Sequence, residues 1–143
     1  MRRLAGTAVL LFSTLAAFAQ WGDSDIPAYN AGPPRHTLPP IMSGVQLSGP
    51  YFTHAYTAVV YQMAAKVSPV LHQEPCYCHC DRALGHNSLH SCFEGTHGAA
   101  CDTCMMEAIF TYQQTKKGRT PAQIRTDIEH GAWHNVDYEA AHL

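Results

Sequence analysis

Charge is sparse in this chain: 14% of its 143 residues are Asp, Glu, Lys or Arg, against about a quarter in an average soluble domain. The formal net charge is −2, and Lys116-Lys117-Gly118-Arg119 is the one basic group. Without a Lys/Arg-rich face to neutralise phosphates, nucleic acid is excluded as a partner. Catalytic signatures are missing too. There is no pair of neighbouring carboxylates, no G-x-S-x-G, no P-loop and no nucleophile marked by an adjacent base, so no enzymatic activity is expected. No stretch alternates apolar and polar residues for a useful length, which argues against strands, and no internal repeat occurs. Beyond the N-terminus no run is apolar enough to cross a bilayer. Cysteine is absent outside a single window.

That window, Pro75 to Cys104, holds all six cysteines, at 76, 78, 80, 92, 101 and 104, and four of the ten histidines, His79, His86, His90 and His97. What precedes it reads as three pieces. Residues 1–19 have a basic start, an apolar run from Leu4 to Phe18 and an Ala17-Phe18-Ala19 cleavage pattern, the layout of a secretory signal peptide. Residues 20–50 carry Pro27, Pro33, Pro34, Pro39, Pro40 and Pro50, a Pro-rich spacer that cannot pack as a helix. The domain proper is then 51–143, with ordered structure expected from about Tyr51. From Thr53 to Val67, the residues Tyr56, Val59, Val60, Met63, Ala64 and Val67 recur at three- and four-residue steps, predicting a helix capped by Thr53 and stopped by Ser68-Pro69.

After the window, Cys104 to Lys117 predicts a second helix, with Met105, Ala108, Ile109, Tyr112 and Thr115 on one face and Gly118 as its stop. Thr120-Pro121-Ala122-Gln123 predicts a third, opened by a capping box and closed near Gly131, with Ile124 and Ile128 facing inward. The fold class that follows is all-α: a small three-helix domain around an irregular Cys/His-rich loop. A domain of this size is expected to need metals or disulfides as staples.

An exported chain with an even number of cysteines ordinarily forms disulfides. Three long-range bridges, from Cys76, Cys78 and Cys80 to Cys92, Cys101 and Cys104, are countable, although a bridge within C-x-C is strained and three bridges would have to diverge from one tight turn. Convergence on an ion suits the spacing better. Cys101-x-x-Cys104 at a helix start is a standard ligand spacing, and the helix N-terminus favours thiolate. With His86 and His97, the six cysteines make eight candidate ligands: Cys76, Cys78, Cys80, His86, Cys92, His97, Cys101 and Cys104. That number fits a two-metal zinc arrangement or a multinuclear Cu(I)-thiolate centre. The alternative is a disulfide-stapled or thiol-redox interaction module without metal. A thioredoxin-like pair at Cys101 and Cys104 lacks its βαβ context, and c-type haem lacks the histidine after Cys104, where Met105 stands. Met105-Met106 reads as core before thioether ligand. His130-x-x-x-His134, without the glutamate of H-E-x-x-H, reads as a solvated helix end. Asp81 and Arg82 are candidates to brace the turn behind the ligands.

Pro75-Cys76-Tyr77-Cys78-His79-Cys80 resembles the signature of the bacterial exported PCYCGC-motif family. The likeness extends to Tyr61-x-x-Ala64-Ala65 with Pro69-Val70-Leu71, to the spacing of His86, Cys92-Phe93, His97, Cys101 and Cys104, and to Lys117-Gly118-x-Thr120 with Ile124-Arg125 and Asp127-Ile128. It covers about half the chain. The family's function is unknown, so the resemblance implies an exported protein and little chemistry. His79 stands where the family has glycine. Many relatives resemble lipoproteins, whereas no cysteine precedes Cys76 here, which implies release as a soluble periplasmic or extracellular protein.

Overall fold

The computed structural model describes residues 25–143; the signal-like segment 1–19 lies outside them, as do residues 20–24. Five helices follow in order, α1 Ala55–Lys66, α2 Ser68–Leu71, α3 Cys80–Leu84, α4 Asp102–Lys116 and α5 Pro121–Glu129, and no strand occurs among the described residues. Short 3-10 turns occupy Gly44–Gln46, Leu89–Phe93, His97–Ala99 and Ala132–Asn135. The three helices expected from periodicity are the three longest. The region between them is less irregular than its composition suggests, since α3 and two of the 3-10 turns lie inside it.

α4 is the axis of the molecule. It packs against α1 on one side and α5 on another, and also meets α2 and the turns of the cysteine region. Burial therefore runs nearly round it: Cys104, Met105, Glu107, Ala108, Ile109, Phe110, Thr111 and Tyr112 are all buried, more than the single face predicted. Opposite α4, α1 contributes Thr57, Val60, Tyr61, Met63 and Ala64. Tyr61 is fully buried between Phe52 and Phe93, edge-on to both at 5.1 and 5.0 Å, and its hydroxyl donates to the Gly95 carbonyl at 2.6 Å. A smaller cluster of Phe110, Ile124, Ile128 and Trp133 joins α4 to α5.

Local signals account for most helix ends. The Thr120 hydroxyl accepts from the Gln123 N–H while the Gln123 side chain accepts from the Thr120 N–H, which is the capping box read from sequence. Gly118 and Gly131, at φ +78° and +75°, take the left-handed turn after α4 and α5. Two boundaries differ from expectation. His54, not Thr53, occupies the cap of α1, and no side chain caps that end. Pro69 does break α1, but it does so by opening α2, whose first turn has no need of the missing N–H.

The proline-rich stretch from Asp25 lies along the outside of the helical body. Ala28 N–H donates to Asp81 Oδ2 at 3.0 Å, and the Asn30 amide donates to the His72 carbonyl at 3.0 Å. Tyr29 lies under the Arg125 guanidinium at 4.5 Å, and Met42 N–H donates to the Phe93 carbonyl. Pro27 and Ile41 are buried. None of the described helices is long and apolar enough to cross a membrane.

Candidate metal centre

The cysteines are core residues before they are anything else. Cys76, Cys80, Cys92 and Cys104 are buried in the main apolar cluster with Leu71, Leu89, Phe93 and Met105, while Cys78 and Cys101 are half-buried at its edge. Three elements deliver them. The first is the turn at Cys76, closed by His79 N–H donating to the Cys76 carbonyl at 3.1 Å and continued directly into α3, which starts at Cys80. The turn is fixed to α4 by Tyr77 N–H donating to Glu107 Oε1 at 2.9 Å. The second is the Leu89–Phe93 turn, which carries Cys92 and is tied back by Leu89 N–H on the Glu74 carbonyl. The third is the start of α4, where Cys101 is the cap residue and Cys104 stands one turn in.

His97 arrives on its own 3-10 turn, which packs so closely that a Cβ on Gly98 would meet the Phe93 ring at 2.8 Å. His79, where the resemblance expects glycine, has φ +55°, the only non-glycine at positive φ among the described residues. A left-handed residue is needed there to swing the chain from the turn into α3, which is the physical reason a glycine suits the position.

All six thiols are free. Cys76 Sγ lies 3.4 Å from both Cys78 Sγ and Cys104 Sγ, Cys78 lies 3.7 Å from Cys104, and Cys80 lies 3.4 Å from Cys92. His97 Nε2 is 3.5 Å from Cys78 Sγ, and His86 Nδ1 is 3.4 Å from Cys92 Sγ. Paired cysteines would each have one close partner; here Cys76, Cys78 and Cys104 each have two. The spacings come within about 0.4 Å of what an ion imposes. Zinc–sulfur bonds of about 2.3 Å and zinc–nitrogen bonds of about 2.05 Å, in tetrahedral geometry, put sulfurs about 3.8 Å apart and sulfur and nitrogen about 3.6 Å apart.

Two four-donor sets have all their ligand atoms within 4.8 Å of one another: Cys78, His97, Cys101 and Cys104, and Cys80, His86, Cys92 and His97. Two all-sulfur sets, Cys76 with Cys78 and Cys80, and Cys76 with Cys92 and Cys104, join them. All eight residues singled out from the sequence are thus brought together, and each of them except His86 and Cys101 belongs to more than one set. The Cys/His groups are positioned to bind a metal ion.

Electrostatics favour the same chemistry. Hydrogen bonds from Cys101 first, then Cys104 and Cys76, push the Cys78 thiol down, whereas the Cys104 thiol is driven up by its bonds to Cys101, Cys76 and Cys78 and by burial. The Cys80 thiol is pushed down too, by its hydrogen bonds to Cys104 first and then Cys76, so thiols that ionise readily stand beside thiols that resist ionisation.

Behind the sulfurs lie two fully buried carboxyls that sequence reasoning did not single out. Burial raises Glu107 to about 8, against the Tyr77 N–H that lowers it, and raises Glu74 to about 9, against Arg125. Burial thus favours the protonated form of both. Their only sequence signal is position, beside the first cysteine and one helical turn after the last.

Other candidates fall elsewhere. Asp81 and Arg82 hold the N-terminal stretch, through Ala28 N–H and Asp25, and not the ligands. Met105 packs in the main core and Met106 against the smaller cluster. His130 and His134 are exposed or nearly so and each sets its Nδ1 against a nearby carbonyl, of Thr126 and Gly131, so they form no joint site. His79 and His90 join none of the donor sets.

A family model described as "Protein of unknown function with PCYCGC motif" matches residues 49–135. No curated protein and no solved structure matches the chain.

Proposed function

We propose, for a chain that belongs to the family of proteins of unknown function with the PCYCGC motif, that it is an exported, soluble metal-binding protein. It holds zinc or Cu(I) in the multi-thiolate site formed by Cys76, Cys78, Cys80, His86, Cys92, His97, Cys101 and Cys104. The role is a structural site or the carriage or sequestration of the ion. The observation that carries this reading is the pair of four-donor Cys/His sets, which share His97 and have all their ligand atoms within 4.8 Å of one another. Each set has the mixed sulfur and imidazole composition of a zinc site. The all-sulfur sets centred on Cys76 favour a second reading, bridged Cu(I), because soft thiolates shared between ions stabilise such clusters.

The test is elemental analysis of the full chain recovered from its export compartment, paired with a free-thiol count under denaturant. About two zinc ions per chain with all six thiols titrating supports the first form. Copper in excess of zinc supports the second. Three disulfides and no metal establish the disulfide-stapled alternative and end the proposal.

A further inference from the structure

The two four-donor sets differ in what covers them. In one, Cys78, His97 and Cys101 are only half-buried, and Cys104 alone is enclosed. In the other, both sulfurs are enclosed: Cys80 is 4% exposed and Cys92 0%. His97 is common to the two.

The N-terminal stretch adds a second layer over the enclosed set. Pro27 and Ala28 lie against Cys76, Cys80 and His86 with no space for a water molecule between, and Pro27 is itself buried. This cover is pinned at three successive residues. Ala28 N–H donates to Asp81 Oδ2 at 3.0 Å, Tyr29 lies under the Arg125 guanidinium, and the Asn30 amide donates to the His72 carbonyl at 3.0 Å. Cys78 and Cys101 are not among the residues under it. His86 also borders a cavity of about 480 Å³, but no cysteine lines that cavity.

Coverage of this kind sets rates of exchange. Zinc can expand from four ligands to five, so an incoming donor can bind before a resident one leaves, provided that it can reach the ion. An ion under a pinned segment has to wait until that segment opens locally.

We infer that the two sets divide the work. Cys78, Cys101 and Cys104, with the shared His97, form an exchange site that hands zinc or Cu(I) to a sulfur or nitrogen donor of an acceptor molecule. Cys80, His86 and Cys92 hold a second ion that stays with the fold. The inference rests on the metal-binding reading above and assigns carriage to one set and structure to the other. The handover is ligand exchange without change of oxidation state. The acceptor's donor atom binds the ion, the bond to Cys101 or Cys78 breaks, and the freed thiolate takes a proton from the incoming donor or from water.

The test mixes the full chain, loaded with zinc, with an excess of a chromophoric chelator. Release is expected in two phases, one ion leaving at least about tenfold faster than the other. Cys101→Ser is expected to abolish the fast phase and keep the slow one. Asn30→Ala, which loosens the cover without touching a ligand, is expected to quicken the slow phase about threefold or more and to leave the fast one unchanged. Iodoacetamide added during the fast phase, with the modified residues mapped by mass spectrometry, is expected to reach Cys78 and Cys101 before Cys80 and Cys92. That arm needs no variant to fold. A single phase, a fast phase that survives Cys101→Ser, a slow phase unmoved by Asn30→Ala, or Cys80 and Cys92 modified first would each overturn the division and leave the metal-binding reading standing. If the unaltered protein holds no zinc or copper, that reading falls, and the division with it.

Discussion

Cys101→Ser separates metal binding from folding, because the structure predicts opposite signs for the two. Cys101 belongs to one four-donor set only, and it is the cap residue of α4, where its own side chain caps nothing. Serine is among the preferred cap residues, since its hydroxyl accepts from the free N–H groups of the first turn. Without metal, the substitution is therefore expected to stabilise the chain, by up to about 1 kcal/mol. With metal, the same change removes one of four ligands. A structural zinc contributes about 10–16 kcal/mol, so an equal share per ligand is about 2.5–4 kcal/mol, or two to three decades of affinity.

Urea denaturation of the full chain, with saturating zinc and with excess chelator, reads both signs. Competition against a chromophoric chelator should show one ion weakened about a hundredfold or more and the other kept. A variant that is destabilised equally with and without metal refutes the assignment of Cys101 as a ligand. One that loses both ions together refutes the division into two sets.

Chelation of the unaltered protein should lower its helical circular dichroism signal, because four of the cysteines are core residues and binding energy is folding energy in such a domain; reductant alone should leave the signal unchanged. His79→Gly should raise the urea midpoint by an amount equivalent to about 1 kcal/mol, since it relieves a left-handed backbone and gives up a 3.9 Å contact to Asp25 and an edge contact to the Tyr77 ring at 6.1 Å; an unchanged or lowered midpoint counts against strain at that residue. Gly98→Ala should cost about 1–3 kcal/mol, because the added Cβ meets the fully buried Phe93 ring at 2.8 Å and the Cys92 carbonyl at 3.0 Å. Thermal unfolding measures that cost, and an unshifted transition would mean that the His97 turn is not held as tightly as its packing indicates.

How far the sequence reaches is clearest from single residues. The α5 capping box was legible because Thr120, Pro121 and Gln123 act within one turn, where spacing alone decides the hydrogen bonds. Tyr61 stands outside the apolar stripe of α1, yet as a large aromatic it reads as core, and it is fully buried with Phe52 and Phe93 closing over it. The nearness of His86 to Cys92, and of His97 to Cys78, was legible as membership in one Cys/His window, but not as a division into sets. That division depends on how α3 and the two 3-10 turns bend the window in space. Glu74 and Glu107 illustrate the reverse limit. Carboxylates are ordinarily solvated, and nothing local marks these two as enclosed; only the tertiary packing of α4 against the Cys76 turn does.

The stretch running from Asp25 has a consequence for the order of assembly. Pro27 and Ala28 lie over Cys76, Cys80 and His86 and leave no room for water between. Yet this stretch is held by partners 42 to 57 positions further along the chain, at His72, Asp81 and Asn87. Contacts that close such long loops come late, since their entropic cost must be met before they return anything. The earliest residues of the domain to emerge are in this way the last to be seated. The sulfurs stay reachable through most of folding and are roofed over at its end. Pulsed hydrogen exchange should therefore find the Ala28 amide protected after those of α4, and protection arriving the other way round would show that the roof is laid first.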